Sequence, residues 1–409
     1  MRRTCDVAIV GGGCMGASVA YHLTRRGVTD VILFEREAQL GTGSTGRNAG
    51  GVRHQFSDEA NVRLSIESIR AFERFGDEVG YPVDLHQDGY LFLLGTESSV
   101  EVFRENVARQ RRLGVDVRWV SPSEAVTLAP GLNTEGITGA TFCPHDGIAD
   151  PSGVTSGFAR AARAAGAMIA RGVEVTGIEV ESGRVIGLQT TAGAFSTRAL
   201  VNAAGPYARH VARMAGVELP VDPFRRHIFI AQPPSTHVSS TVSEAPGEAQ
   251  ERSDWGNRAP HSRVMVIDFE TTFYFHREGT GLLFGMADPD EEPTFDTTVQ
   301  WDFLPKVVDV AVKRLPVLAE ASVSHAWAGL YEVTPDANPI IGPAGVVDGL
   351  FLINGFSGHG FQHSPAAGRI LADVILGVDP HFDLAPFRLD RFSSASRSVV
   401  EAGGERYFI

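Results

Sequence analysis

The chain has 409 residues, enough for one to three domains with a sizeable core, and its hydrophobic content of 43% and charged content of 21% are ordinary for a globular protein. The formal net charge of −13 argues against a nucleic-acid partner, and no apolar run approaches the roughly 20 residues of a membrane span. The cysteines, Cys5, Cys14 and Cys143, match neither a metal-ligand spacing nor a disulfide framework, so the composition predicts a reducing, cytoplasmic location and no metal site.

The N-terminal part of the chain combines a strand, a glycine-rich turn, a helix and a second strand. Apolar runs at 7–10 and 31–34 predict buried strands, and the helical pattern between them ends at Gly27. The turn has G-x-G-x-x-G spacing, with Gly11, Gly13 and Gly16. Such glycines let backbone N–H groups approach a pyrophosphate, and Glu35 ends the second strand where a carboxylate binds ribose hydroxyls. The stretch therefore predicts a dinucleotide site, and it leaves no room for a signal peptide.

Helices and strands continue to alternate after this motif. A loop of small residues at 41–52 is suited to lie against a flat ligand, and Asp58 and Glu59 begin a helix that Gly80 and Pro82 end. The elements predicted next are a strand at 89–94, a helix at 98–113, a helix within 148–166, a β-meander of runs 173–180, 184–190 and 194–201, and a small-residue turn at 202–206.

The C-terminal half begins with a strand at 224–231. The polar segment 233–262 has no apolar period, which predicts a lid, a partner surface or disorder. Strands follow at 264–269, 272–276 and 281–286, then a helix at 301–315, strands near 340 and at 350–353, and a helix at 364–376. These elements predict an α/β plus β fold, in which a Rossmann-like domain (1–84, 144–219 and 324–409) carries an inserted mixed, largely antiparallel sheet domain (85–143 and 220–323).

Six motifs connect the chain to a known family. They are GGGCMG with Glu35, STGRNAGGVR at 44–53, DGIADPSGV at 146–154, NAAGPYA at 202–208, YEVTPDANPIIG at 331–342 and GFSGHGFQHSPAAGR at 355–369. With these motifs in this order, the chain resembles the D-amino-acid-oxidase-like FAD oxidoreductases, and most of all their sarcosine oxidase and dimethylglycine dehydrogenase branch. The resemblance implies an FAD-binding domain topped by a large antiparallel sheet, with the substrate held between that sheet and the flavin.

The resemblance also assigns residues to the cofactor. The predicted FAD contacts are Gly11, Gly13, Gly16, Glu35, Arg36, Ser44, Thr45, Arg47, Asn48, Ala49, Gly50, Val175, Ala204, Gly205, Gly358, His359, Gly360, Phe361 and Gln362. A helix that begins near Gly360 and Phe361 would direct backbone N–H groups at the flavin edge that becomes negative on reduction, and this stabilises the reduced ring.

For the substrate, the resemblance points to Arg53, because a guanidinium suits a carboxylate by bidentate hydrogen bonds. His54 and His276 are candidates to take the amine proton. The predicted catalytic set is Arg53, His54, Tyr274, His276, His359 and Gln362. The residues on the predicted strands are candidates to line the substrate pocket, with core or surface roles equally open, and they are Arg226, His227, Tyr274, His276 and Arg277.

Departures from the family pattern also carry information. The stretch 327–331 lacks the cysteine, and 44–51 lacks the histidine, that tether flavin in some relatives, so the FAD is predicted to be non-covalent. Gln362 and Leu283 occupy the positions of two lysines of monomeric sarcosine oxidases, and the only lysines of the chain are Lys306 and Lys313. A cation near the flavin promotes the reaction with O₂, so a dehydrogenase is favoured over an oxidase.

The predicted function is oxidation of a C–N bond in an amino acid or secondary amine, with hydride transfer to flavin N5 and an imine product. Two alternatives remain open. One is an FAD enzyme acting on an α-hydroxy acid or glycerol phosphate, and the other is an FAD-carrying subunit of a larger electron-transfer complex. The electron acceptor is unknown, and assembly into homo- or hetero-oligomers is equally open.

Overall fold

The structure is a computed structural model that describes residues 3–233 and 255–393. Most of the polar segment predicted at 233–262 therefore lies outside the described residues. The strands are β1 Arg3–Thr4, β2 Val7–Val10, β3 Val31–Glu35, β4 Gly51–Val52, β5 Leu85–His86, β6 Tyr90–Leu94, β7 Arg118–Val120, β8 Gly139–Cys143, β9 Gly147–Ala149, β10 Met168–Arg171, β11 Val175–Glu181, β12 Arg184–Thr190, β13 Gly193–Ser196, β14 Ala199–Asn202, β15 Asp222–Gln232, β16 Met265–Asp268, β17 Tyr274–Glu278, β18 Gly281–Met286, β19 Ser322–Val333, β20 Ile340–Pro343 and β21 Leu350–Asn354.

The helices are α1 Cys14–Arg25, α2 Glu59–Glu73, α3 Phe75–Val79, α4 Glu97–Arg112, α5 Pro122–Leu128, α6 Pro151–Ala164, α7 Ala208–Met214, α8 Leu304–Arg314 and α9 Gly360–Ile375. Most of the longer helices lie where the sequence predicts them, but α5 and α7 were not predicted, and the helix predicted between Asp58 and Gly80 is divided into α2 and α3. Asp58 caps α2 by accepting hydrogen bonds from the backbone N of Ala60 and Asn61. Helix α9 begins at Gly360, where the family resemblance places its start, and four residues before the start at 364 that the sequence pattern predicts. None of the helices in the described ranges is long and apolar enough to cross a membrane.

A six-stranded sheet in the order β10-β3-β2-β14-β21-β20 forms the nucleotide-binding half. Its strands are parallel except for β20, which pairs antiparallel with β21. Alternate residues of β2 face two different cores. Val7 and Ile9 pack among residues of α1, α6 and α9, while Ala8 and Val10 pack among residues of α7 and the meander. Burial on both faces explains why these strands are continuous apolar runs in the sequence.

An eight-stranded sheet in the order β19-β15-β18-β17-β16-β6-β8-β7 forms the second half. Its neighbouring strands are antiparallel except for the parallel β16–β6 pair, so the predicted fold class is confirmed. The domain division predicted from sequence differs from the sheets at two places. The boundary at 84/85 puts β5 in the inserted domain, although β5 pairs with β9 of the predicted FAD-binding domain. The boundary at 324 falls inside β19, which pairs with β15 and so belongs to the eight-stranded sheet.

Two smaller sheets complete the architecture. The predicted meander forms as β11, β12 and β13, with β1 added parallel to β13. The third predicted run, 194–201, is not one strand, and this prediction was wrong. It divides at Thr197, because its second part, β14, pairs with β2 and β21 in the six-stranded sheet. Strands β4, β9 and β5 form a separate three-stranded sheet.

Candidate active site

A cleft of about 730 Å³ lies between the carboxyl edge of the six-stranded sheet and one face of the eight-stranded sheet. We call it the nucleotide cleft. Strands β2, β3 and β14 are neighbours, so the residues that follow them meet at one edge of the sheet. Gly11 N donates to Phe34 O at 2.9 Å and Ala203 N donates to Val10 O at 2.9 Å. The glycine-rich turn is thereby fixed on both sides at the place where α/β sheets bind ligands.

The glycines of this turn are required by close backbone approach. Gly11 has φ +112°, and a Cβ at this position would lie inside the contact distance of Ala203 O. A Cβ on Gly16 would meet Gly11 O in the same way. Helix α1 then begins after Gly13, and Gly13, Cys14 and Met15 line the nucleotide cleft, so the N-terminus of the helix lies at the cleft wall.

Glu35 lies in the cleft lining and is itself fixed by backbone donors. Its Oε2 accepts from Gly12 N at 2.8 Å, and its Oε1 accepts from Glu37 N at 2.8 Å. These bonds direct the carboxylate into the cleft beside the glycine-rich turn. This end of the cleft, lined also by Arg36, Tyr207, His210 and Phe295, is called the adenosine end.

The loop of small residues crosses from the nucleotide-binding half to strand β19. Ser44 Oγ donates to Leu330 O at 2.6 Å, and Arg47 Nη1 donates to Ala328 O at 2.8 Å. Thr45 Oγ1 accepts from Cys14 N at 3.2 Å. The loop therefore ties the start of α1 to the eight-stranded sheet, and it forms part of the cleft wall.

Most of the predicted cofactor residues line this one cleft. They are Gly11, Gly13, Glu35, Arg36, Ser44, Thr45, Arg47, Asn48, Ala49, Val175, Ala204, Gly205, Gly358, Gly360 and Phe361. Four predicted contacts lie outside the lining, namely Gly16, Gly50, His359 and Gln362. The cysteine in the lining is Cys14, where burial raises the thiol pKa to about 11, and this disfavours the thiolate.

The lining fits a dinucleotide such as FAD in its chemistry. Helices α1 and α9 both begin at the cleft, and their N-cap residues supply no side-chain cap. Apart from Cys14 N, which donates to Thr45 Oγ1, the first turns leave donors for phosphate and for a flavin edge. Glu332 Oε2 is buried in the cleft wall with no hydrogen-bond partner among the described residues. An acceptor in such a place is suited to the hydroxyl groups of the cofactor.

Four side chains from the eight-stranded sheet form the other end of the cleft, which we call the substrate end. Arg226 and Ile228 come from β15, Tyr274 from β17 and Tyr331 from β19. The Arg226 guanidinium lies 5.3 Å from the centre of the Tyr331 ring. Burial lowers the pKa of Arg226 and raises the pKa of Tyr331, whose shift the charges of Arg226 and Arg53 oppose. The substrate end thus offers one guanidinium and neutral phenols on an apolar wall.

Arg53, the predicted carboxylate anchor, is buried outside the cleft lining. Its Nη1 donates to Gln55 O at 2.7 Å, and its guanidinium lies 4.1 Å from the centre of the Phe56 ring. Its backbone N donates to Gln362 Oε1 at 2.9 Å, which brings two of the predicted catalytic residues together. The role assigned to Arg53 stays a prediction.

His54 is paired with an acid that sequence reasoning did not single out. Its Nδ1 lies 2.6 Å from Asp146 Oδ1, which also accepts from His54 N at 2.8 Å. Together with Cys143 these residues offer three metal-ligating atoms within 4.8 Å of one another. Burial raises the pKa of the Cys143 thiol, and Asp146 already accepts from Gln55 as well, so these groups satisfy one another without an ion.

The remaining predicted catalytic histidines are also outside the lining. The ring nitrogens of His276 lie 2.7 Å from Arg277 O and 3.1 Å from Ala49 O. His359 packs edge-on against Phe56 with ring centres 5.1 Å apart, and burial lowers its pKa to about 3. Both rings are therefore held among protein groups, and Tyr274 is the predicted catalytic residue that lines the cleft.

Sequence reasoning did not identify Tyr331, Glu332, Tyr207 or Phe295, although all four line the cleft. Tyr331 and Glu332 belong to the motif at 331–342, so the motif was found and its buried acid was overlooked. Phe295 carries no local signal, because its segment has neither strand nor helix periodicity.

Glu332 provides a prediction about stability. Burial raises its carboxyl pKa from 4.5 to about 7, against the backbone donors of Gly355 and Phe356. Because the folded pKa is the higher one, this group stabilises the fold most below pH 4.5, and the contribution is lost as the pH rises to 7. In the FAD-free wild-type chain, we expect the free energy of unfolding to fall by up to about 3 kcal/mol over this range because of Glu332, and Glu332→Gln should remove this fall.

Urea unfolding of wild type and variant between pH 4.5 and 8 measures this difference in unfolding free energy. The pH-dependent contribution of the buried histidines cancels in the comparison, because both proteins contain them. Glu174→Gln is the matched control, since Glu174 also lines the cleft but is exposed. Parallel curves for wild type and Glu332→Gln would contradict the prediction.

Comparisons with known proteins agree with this site. The family model "DAO: FAD dependent oxidoreductase" matches residues 6–374. The human mitochondrial dimethylglycine dehydrogenase is 29% identical over 404 residues, which are 95% of this chain and 44% of that protein, so the chain spans less than half of this relative. The crystal structure of L-proline dehydrogenase from P. horikoshii has a TM-score of 0.85 and 30% identity, covering 97% of this chain and 99% of that one.

A second solved structure, glycine oxidase from Geobacillus kaustophilus, has a TM-score of 0.80 and 27% identity over 95% of this chain and 99% of that one. The family model spans the glycine-rich turn, both sheets and all but the last residue of α9. The chain therefore belongs to the DAO family of FAD-dependent oxidoreductases, and its cofactor is FAD.

Proposed function

We propose that this chain oxidises the C–N bond of an amino acid or secondary amine to an imine. The observation that carries the proposal is the guanidinium of Arg226, which faces the nucleotide cleft from the sheet that covers the flavin-binding half. The relatives named dimethylglycine dehydrogenase, L-proline dehydrogenase and glycine oxidase support it, because each acts on a small amine that carries a carboxylate.

The chain's own residues bind and orient such a substrate. Arg226 supplies charge-assisted hydrogen bonds to the carboxylate, which fixes one end of the molecule. Ile228, Tyr274 and Tyr331 form the wall around it and exclude water. Bound FAD supplies the acceptor for the hydride that leaves the substrate α-carbon. Positioning accounts for most of the catalysis in this scheme, so neither a nucleophile nor a metal ion is needed.

We further propose that O₂ is a poor electron acceptor. Leu283 is buried in β18 and packs in the same cluster as Ile228 and Tyr274. The described residues of the cleft lining include no lysine. Lys306 lies elsewhere, with its Nζ 3.8 Å from Asp290 Oδ2. Arg226 is the cation at the substrate end, and a bound carboxylate neutralises it. The positive charge available to stabilise developing superoxide is then reduced to Arg47 in the cleft lining, whose Nη1 already donates to Ala328 O, and to the buried Arg53.

The test is anaerobic mixing of the protein carrying oxidised FAD with sarcosine, dimethylglycine, glycine or L-proline, with lactate and glycerol 3-phosphate as controls. We expect at least one amine to bleach the flavin, and the colour to return slowly in air but quickly with an artificial acceptor. Bleaching only by a control substrate would refute amine oxidation. Rapid recolouring in air would refute the dehydrogenase assignment alone.

A further inference from the structure

A segment from the eight-stranded sheet crosses to the adenosine end of the nucleotide cleft. Residues 287–300, which we call the strap, connect β18 to the turn at Trp301–Phe303 and contain neither helix nor strand. Phe295 and Thr297 of the strap line the cleft. A long segment without secondary structure in a compact domain commonly has a function.

The aromatic ring of Phe295 lies among groups of the nucleotide-binding half. It stacks on Tyr207 with ring centres 4.8 Å apart and an interplanar angle of 26°, and it meets His210 edge-on at 5.1 Å. The Arg36 guanidinium lies 3.9 Å from the centre of the same Tyr207 ring. Phe295 is nevertheless 39% exposed and lines the cleft, so part of its side chain is accessible to a ligand there. Adenine is the part of FAD that offers a flat π-surface at this end.

Residues of strand β15 bind the strap by hydrogen bonds and ion pairs and so hold it in place. Arg225 is buried and binds Glu291 by two hydrogen bonds of 3.0 and 3.3 Å. It also donates to Asp296 at 2.8 Å and to Thr298 O at 3.1 Å, one on each side of Thr297 in the sequence. Thr294 N donates to Pro223 O at 2.8 Å. Phe295 therefore sits between two fixed points.

The side chains on the two faces of β15 contact different parts of the structure, because successive side chains of a strand point to opposite faces. Arg226 and Ile228 face the cleft, whereas Arg225 and His227 face the other side, where His227 Nε2 accepts from Gln300 N at 3.1 Å. One strand thus presents a cation to the substrate end and anchors the strap that covers the adenosine end.

We infer that the strap is a cofactor-retaining element, in which Phe295 covers the adenine of FAD. The hydrogen bonds of Arg225 to Glu291, Asp296 and Thr298 O must then break before FAD leaves. This supplies retention by packing in a chain whose FAD is predicted to be untethered. The inference depends on the FAD cofactor and is independent of the substrate proposed above.

The test compares release of FAD with binding of FMN, which lacks the adenosine. For Phe295→Ala we expect FAD to dissociate about tenfold faster, measured by the rise in flavin fluorescence after dilution, because the lost stacking is worth that much. The affinity of the FAD-free protein for FMN should be unchanged. Asp296→Asn, at an acid with a side chain 54% exposed, should accelerate FAD release in the same direction by a smaller factor.

Trp301→Ala is the matched control, because Trp301 is an exposed aromatic residue next to the strap and lies outside the cleft lining. It should release FAD at the wild-type rate. The inference is overturned if Phe295→Ala releases FAD within about twofold of wild type, or if FAD and FMN are weakened by the same factor, since a general loss of fold would affect both.

Discussion

Replacing Arg226 with methionine is expected to lower kcat/KM for an amino-acid substrate by about a hundredfold or more, because a charge-assisted contact to the substrate carboxylate is lost. Methionine keeps much of the length of the side chain and its packing against Tyr331. Arg226→Lys retains the charge but not the planar fork, so it should recover part of the activity. Steady-state kinetics with an artificial acceptor, on the best substrate of the anaerobic panel, measure the effect.

Two comparisons make this prediction specific. A carboxylate-free analogue of the same amine should lose little in Arg226→Met, so the preference for the carboxylate should collapse. Arg53→Met is the rival variant, since Arg53 is the anchor that the family resemblance implies. If Arg53→Met removes the carboxylate preference and Arg226→Met does not, then Arg53 is the anchor, and our placement of the substrate carboxylate is wrong.

Gly11→Ala is expected to yield a chain that fails to retain FAD, with an affinity lowered about a hundredfold or more. The residue has φ +112°, a region that side chains rarely adopt, and the added Cβ would overlap Ala203 O. Either β14 moves away from β2, or the turn moves into the space for the pyrophosphate. The ratio of flavin to protein absorbance after purification, followed by titration with FAD, measures the loss.

Gly43→Ala is the control for this variant. Gly43 also lines the cleft, but its φ is −78°, and a Cβ there would meet no protein atom beyond its chain neighbours within 4 Å. It should retain FAD, which shows that an added methyl group in the lining is not harmful by itself. Circular dichroism separates a folded FAD-free Gly11→Ala chain from an unfolded one. Retention of FAD by Gly11→Ala with an affinity within about tenfold of wild type would contradict the geometric argument.

Much of the nucleotide-binding half was predictable because its signals are local. The glycine spacing, the apolar runs of β2 and β3 and the acid at Glu35 lie within one stretch of chain, and each follows from backbone geometry that neighbouring residues set. The error at 194–201 has the opposite cause. Periodicity gives a strand its propensity but not its partner, and the partner of β14 is β2, nearly 200 residues earlier.

The sequence by itself determined the family, the cofactor and the edge of the sheet where the cofactor binds, because those depend on contiguous motifs. Tertiary structure alone decided which arginine faces the cleft. Arg225 and Arg226 are neighbours with the same local sequence pattern. Only the pairing of β15 with β18 and β19 directs the side chain of Arg226, and not that of Arg225, toward the cleft. The same holds for His54, paired with an acid 92 residues away, and for Phe295, brought to Tyr207 by the strap. Such contacts join distant segments, and their energy arises from burial that no single segment contains.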